Sequence, residues 1–105
     1  MSFETIIAQD SLLADRVRLA IVTYLAKAKS VVEFNELLSA LALTKGNLSS
    51  HMRKLEAAGI VAVNKEFINR KPRTTYEISK KGEKELLQYI NALESVVQFL
   101  KKGSK

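Results

Sequence analysis

Apolar side chains recur along the first third of the chain with the period of an α-helix. In residues 11–28, Leu13, Val17, Ala20, Ile21, Tyr24 and Leu25 fall at that spacing, and Ser11 is placed to cap the start. Val31 and Val32, both β-branched, fit a short extended piece. Phe34, Leu37, Leu38 and Leu41 then step i, i+3, i+4, i+7, which predicts a second, short helix beginning near Asn35. Asn35 can cap it, and Glu36 sits favourably near its positive end. Thr44 is a good cap for a third helix whose buried edge is Leu48, Met52 and Leu55. Gly59 is placed for the left-handed residue that ends it. Residues 60–68 and 73–79 are rich in Val, Ile, Phe, Tyr and Thr and read as two strands, with Thr74, Tyr76 and Ile78 on one face. Asn69-Arg70-Lys71-Pro72 is a turn by composition, and Pro72 belongs at an edge or tip. Ser79 can cap a last helix running to about residue 102.

These elements predict a mainly α fold with a small β-hairpin, an α+β arrangement in the order α-β-α-α-β-β-α. At 105 residues the chain has room for one domain, read here as residues 1–105. A 47% hydrophobic content with one proline argues for a folded core rather than disorder. Cysteine is absent, which removes disulfides, thiol catalysis and cysteine metal sites and suits a reducing cytoplasm. His51 is the only histidine, so no His pair is present to hold a metal. No metal and no cofactor is expected. The charge-free run over residues 19–26 is far short of the ~20 residues that span a bilayer. The start, MSFETIIAQD, is acidic rather than basic and does not read as a signal peptide. A cytoplasmic protein with no membrane partner is expected.

Charge changes the picture most by its position. The net charge is +6, and residues 44–84 hold ten basic side chains against four acidic ones. The segments on either side are close to neutral. Clustering of this kind points to a polyanionic partner. The third helix lies within the basic segment. Opposite its buried edge it presents Gly46, Asn47, Ser50, Arg53, Lys54 and Ala57, with Ser49 and His51 on the flanks. Small hydrogen-bonding groups near the N-terminal end and cations beyond them suit entry into a major groove, where Asn can read adenine and Arg or Lys can meet guanine or phosphate. Two helices separated by about three residues match helix-turn-helix spacing. The hairpin tip adds Arg70, Lys71 and Arg73, placed to lie along the backbone or in the minor groove. The residues assigned to DNA contact are therefore Lys45, Gly46, Asn47, Ser49, Ser50, His51, Arg53 and Lys54 of the helix, and Arg70, Lys71 and Arg73 of the hairpin.

The run TKGNLSSHMRKLEAAGIVAV followed by KEFINRKPRTTYEISKKG resembles the small winged-helix transcriptional regulators of bacteria and archaea, related to MarR and ArsR proteins. The likeness spans roughly residues 12–82, with GNLSSH, KLEAAG and PRTTYEIS the most specific segments. It implies that residues 44–58 form a recognition helix and residues 60–79 a wing, and that the protein regulates transcription as a dimer on operator DNA. Two departures limit what carries over. The cysteine metal box of metal-sensing ArsR proteins is missing, as is the longer N-terminal helical extension of MarR proteins, so neither metal sensing nor effector binding is implied.

Catalytic readings fail on geometry. Neighbours on a helix point about 100° apart, so Ser50 cannot offer its hydroxyl to His51, and no carboxylate lies at i±3 or i±4 to orient that ring. A contact between Asn47 and His51 fits the spacing better, with His51 at the boundary of core and DNA face. Glu33 and Glu36 fit a helix start better than a catalytic pair. No glycine-rich phosphate loop is present. No catalytic residue is assigned and no enzyme activity is expected.

In the last helix Leu86, Ile90, Leu93, Val97 and Leu100 advance by 4, 3, 4, 3, a strict a/d heptad pattern over two repeats. Leu87, Tyr89, Val96 and Phe99 widen the apolar surface. Two apolar stripes on a terminal helix argue that one packs on its own domain and the other on a second copy. The expected homodimer interface is Leu86, Tyr89, Ile90, Leu93, Val96, Val97 and Leu100, in a dimerisation helix over residues 80–102. The sequence thus points to a homodimeric, sequence-specific binder of double-stranded DNA with a pseudo-palindromic operator. The alternatives are a winged-helix protein-interaction module and a sequence-indifferent architectural DNA binder.

Overall fold

In the computed structural model, which describes residues 12–28 and 30–102, the elements follow the expected order. A 3-10 turn (Leu12–Ala14) leads into α1 (Arg16–Ala28), β1 (Val32–Glu33), α2 (Phe34–Leu41), α3 (Lys45–Ala57), β2 (Val61–Ile68), β3 (Lys71–Ile78) and α4 (Lys80–Lys102). The strands form one antiparallel sheet in the order β1-β3-β2.

Local chemistry accounts for the element ends, with two corrections. The first long helix starts behind Asp15, whose Oδ1 accepts from the backbone amides of Val17 at 2.8 Å and Arg18 at 3.0 Å. Those bonds, the one from Arg18 above all, hold the Asp15 carboxyl below its ordinary range. Ser11, the expected cap, lies outside the described residues. Helix α2 begins at Phe34, with Glu33 rather than Asn35 at its N-cap and no side-chain capping bond. The Glu33 carboxylate is instead taken by Arg73 at 2.6 Å. Helix α3 starts as expected: the Thr44 hydroxyl accepts from the Asn47 amide at 3.1 Å. It ends in a paired closure, Gly59 N–H to the Glu56 carbonyl and Ile60 N–H to the Leu55 carbonyl, both at 2.9 Å. Gly59 has φ +75, which only a glycine adopts without strain.

The hairpin turn is tighter than its composition implied. Asn69 and Arg70 alone make it, with φ of 52 and 67, the mirror-image turn whose twist matches the flanking strands. Lys71 and Pro72 already belong to β3, where Pro72 pairs with Phe67. Strand β1 meets β3 only at Tyr76 and Thr75, so Pro72 lies where the sheet is two strands wide and its missing N–H is tolerated.

The core gathers Leu13, Ile21, Val22 and Leu25 with Leu37 of α2, Leu48, Met52 and Leu55 of α3, and Val32, Ile60, Val61 and Tyr76 of the sheet region. Helix α1 buries Val22 where Ala20 was expected, and Ala20 is exposed. Tyr24 stays half-buried because its hydroxyl donates to Glu36 at 2.6 Å on the surface. Helix α4 is anchored by its first turn. Ser79 caps it, its Oγ accepting from the Gly82 amide at 2.9 Å. A Cβ at the buried Gly82 would overlap the Ile60 carbonyl oxygen, so only glycine allows this approach. Twenty-three residues rise about 35 Å. The molecule measures 62 × 24 × 23 Å, so α4 projects well beyond the domain it starts on.

Candidate nucleic-acid interface

Helix α3 is fixed from behind by Leu48, Met52 and Leu55, all buried. Its opposite side is open: Lys45, Gly46, Asn47, Arg53 and Lys54 are exposed, and Ser49, Ser50 and His51 are half-buried. Among the described residues, the side chains of Lys45, Asn47, Ser50, Arg53 and Lys54 make no hydrogen bond or ion pair within the chain. Gly46 is the telling position. A Cβ there would meet nothing within 4 Å, so the fold itself has no use for a glycine that weakens the helix by about 1 kcal/mol relative to alanine. What a bare backbone does offer at this place is close approach by another molecule.

His51 is held differently from the rest. Its Nδ1 lies 3.1 Å from Nη1 of Arg18, which also donates through Nε to the Leu12 carbonyl at 2.7 Å. The expected contact with Asn47 is replaced by this one. A guanidinium has no acceptor, so in this contact Nδ1 is the accepting atom. The chain thereby ties the middle of α3 to the start of α1.

The wing cations divide into two kinds. Arg70 and Lys71 are exposed at the turn, and no side-chain partner meets them among the described residues. Arg73, expected with them, is turned back onto the protein. Its Nε donates to Glu33 at 2.6 Å and its Nη1 to Glu66 at 3.2 Å, bridging β1 to β2 across β3. The hydrogen bond to Glu33, with the charge of both carboxylates, raises the Arg73 pKa further above its ordinary value. Arg73 therefore braces the wing, while Arg70 and Lys71 carry its open charge. Lys65, counted in the basic segment but not assigned to DNA contact, lies by strand alternation on the face of Val61 and Val63. It lines a shallow concavity with Ser49 and Arg53 of α3 and Tyr76 of β3.

The C-terminal end of α3 is fastened to the start of α4. Lys81 Nζ donates to the Ala58 carbonyl at 2.6 Å, and Ser79 Oγ donates to the Ile60 carbonyl at 2.9 Å. The direction of α3 is thus coupled to that of the projecting helix. Of the expected interface residues, Leu86 and Tyr89 pack against the core of their own domain. Ile90 and Val96 are half-buried, and Leu93, Val97 and Leu100 are exposed. The stripe passes from covered to open where α4 runs beyond the core of its own domain.

A helix pair packed on a three-stranded sheet, with an open polar helix face beside a cationic hairpin, defines a winged helix-turn-helix DNA-binding protein. The chain belongs to the family described as winged helix DNA-binding domain, whose model matches residues 17–97. It is similar to the structure of a transcriptional regulator homologue from Pyrococcus horikoshii, with 35% identity over 90% of this chain and 92% of that one and a TM-score of 0.81. A structure of MarR shares the fold at a TM-score of 0.70, with 19% identity over 85% of this chain and 64% of that one. An uncharacterized protein of Methanocaldococcus jannaschii is 41% identical over 58 residues, 55% of this chain, and the match spans 63% of that relative's length. The protein carries the winged-helix DNA-binding fold. Among the described residues, no helix is long and apolar enough to cross a membrane.

Proposed function

We propose that the protein controls transcription as a homodimer that reads a pseudo-palindromic operator in double-stranded DNA. Residues 44–58 act as the recognition helix in the major groove, residues 60–79 as the wing, and residues 80–102 as the dimerisation helix. The observation that carries this reading is the outward face of α3, where the side chains of Asn47, Ser50, Arg53 and Lys54 make no hydrogen bond or ion pair among the described residues and Gly46 leaves the backbone bare. Asn47 and Ser50 read base edges; Arg53, Lys54 and Lys45 meet guanine or phosphate, and Ser49 and His51 flank them. Arg70 and Lys71 add phosphate contacts from the wing, and Arg73 positions them. The exposed Leu93, Val97 and Leu100, with Ile90 and Val96 beside them, form the contact between two copies. The protein acts by occupying DNA in the cytoplasm, without a chemical step.

Selection of bound duplexes from a random pool tests the reading. An enriched sequence with two inverted half-sites, about one or more helical turns apart, is the expected result. Enrichment of a single unpaired half-site would remove the dimer from the proposal, and recovery of the pool unchanged would remove sequence specificity.

A further inference from the structure

The wing ends in apolar side chains that the fold leaves uncovered. Phe67 is 78% exposed, Ile68 beside it is also exposed, and so is Pro72, the cross-strand partner of Phe67. A single exposed apolar residue is ordinary. Phe67 and Pro72 lie side by side on one face at the end of the hairpin, with Ile68 on the opposite face, and nothing in the folding of this domain calls for this open apolar surface.

Their orientation narrows the partner. Side chains alternate along a strand, so Val61, Val63, Lys65 and Phe67 share one face with their pairing partners Ile78, Tyr76, Thr74 and Pro72. That face meets α3, since Val63, Lys65 and Tyr76 adjoin Ser49 and Arg53. Phe67 and Pro72 therefore continue, toward the tip, the side on which α3 presents its cations. Arg70 and Lys71 flank them; Glu66 is on the other face and held, with Glu33, by Arg73, and Glu56 of α3 lies further back, beside Lys65 and Arg53.

We infer that Phe67, backed by Pro72, is an apolar wedge that the wing inserts between base pairs of the minor groove, with Arg70 and Lys71 on the flanking phosphates. The inference rests on the DNA-binding reading above and gives the wing a second task within it. Eight residues of β2 reach roughly 27 Å, more than the roughly 17 Å of half a DNA turn between one groove and the next. A minor groove offers what this tip fits: two rows of phosphates for the cations and, between them, a base stack that an apolar side chain can part and kink. Parting is easiest at TA and CA steps, so the wedge selects flexible steps without a hydrogen bond to any base.

The test uses the full chain and duplexes it recovers from a random pool, with 2-aminopurine placed at successive flanking positions. Wild type should raise the fluorescence at one flanking step per half-site. Phe67→Ala should abolish that rise and weaken binding about tenfold, while Phe67→Leu keeps most of both. Replacing a flexible step there by GG should weaken wild type and leave Phe67→Ala unaffected. Phe67 is exposed, so an unchanged circular dichroism spectrum and thermal midpoint separate these effects from unfolding. Equal affinity and fluorescence in Phe67→Ala and wild type would overturn the wedge. A change in molar mass by light scattering with DNA affinity intact would also overturn it, assigning the patch to a second copy. Failure of wild type to bind any duplex would overturn the DNA-binding reading itself, a result distinct from both.

Discussion

Helix α3 and the wing both carry positive charge toward one side of the molecule, but they are built to different tolerances. The helix is capped by Thr44, closed at Gly59, tied to α1 through His51 and to α4 through Lys81. Its outward side chains have one fixed frame. The wing is braced only at its base, where Arg73 joins Glu33 and Glu66, and its tip is a two-residue turn with Arg70 and Lys71 in the open. Hydrogen bonds to base edges need donors and acceptors placed to within a fraction of an ångström. Attraction to phosphate acts over longer distances and forgives motion. In the proposed function the same charge serves discrimination on one element and affinity on the other.

Both elements act in pairs if two copies bind one operator, and that pairing carries the largest expected effect. Leu93→Glu would place a charge from each copy at the centre of the contact. Light scattering should then show a folded species of half the mass, with helical circular dichroism retained. Affinity for a two-half-site duplex should fall by at least about a hundredfold as the link between the sites is lost. A wild-type mass of one chain at micromolar concentration would remove the dimer.

The contrast between reading and holding is next in size. Asn47→Ala and Ser50→Ala should each lower discrimination at one or two base positions by about 1–3 kcal/mol and leave binding to random DNA nearly unchanged. Competition titrations with single-position variants of the selected duplex measure this. Equal losses on selected and random DNA would make these residues positioning contacts. Arg70→Ala with Lys71→Ala should do the reverse. Binding to every duplex should weaken alike, on the order of tenfold, and the slope of log affinity against log salt should flatten by about 0.9 per contact removed. An unchanged slope would place both cations away from DNA.

Gly46→Ala is the smallest and the most diagnostic change. The new methyl group meets nothing inside the protein, so chemical denaturation should show a gain of about 0.5–1 kcal/mol in stability. DNA binding should nonetheless weaken, because the methyl group occupies space the groove needs. A variant that is both more stable and fully active would show that α3 does not approach DNA at Gly46.

Much of the fold was legible because its signals are local. Caps and turns act between residues a few positions apart, so Thr44, Gly59 and Ser79 could be assigned from their neighbours alone, and the third helix, the hairpin and the last helix followed. The open face of α3 was legible for the same reason, since helical periodicity fixes which residues oppose Leu48, Met52 and Leu55. Contacts between distant segments were not. Arg73 read as a wing cation, although Glu66 lies opposite it in the hairpin, because its shorter contact is to a distant residue. The sheet brings Glu33, 40 positions away, beside it, and that pairing turns Arg73 back onto the protein. His51 was matched with Asn47 by spacing, yet packing of α1 on α3 delivers Arg18, 33 positions away. The heptad stripe on the last helix was correctly counted, but where it leaves its own domain depends on how far the core extends along α4, and that places Leu86 and Tyr89 inside and Leu93, Val97 and Leu100 out. Short-range periodicity and capping are properties of the chain. Which charges find each other and which apolar faces stay open depend on how its elements pack.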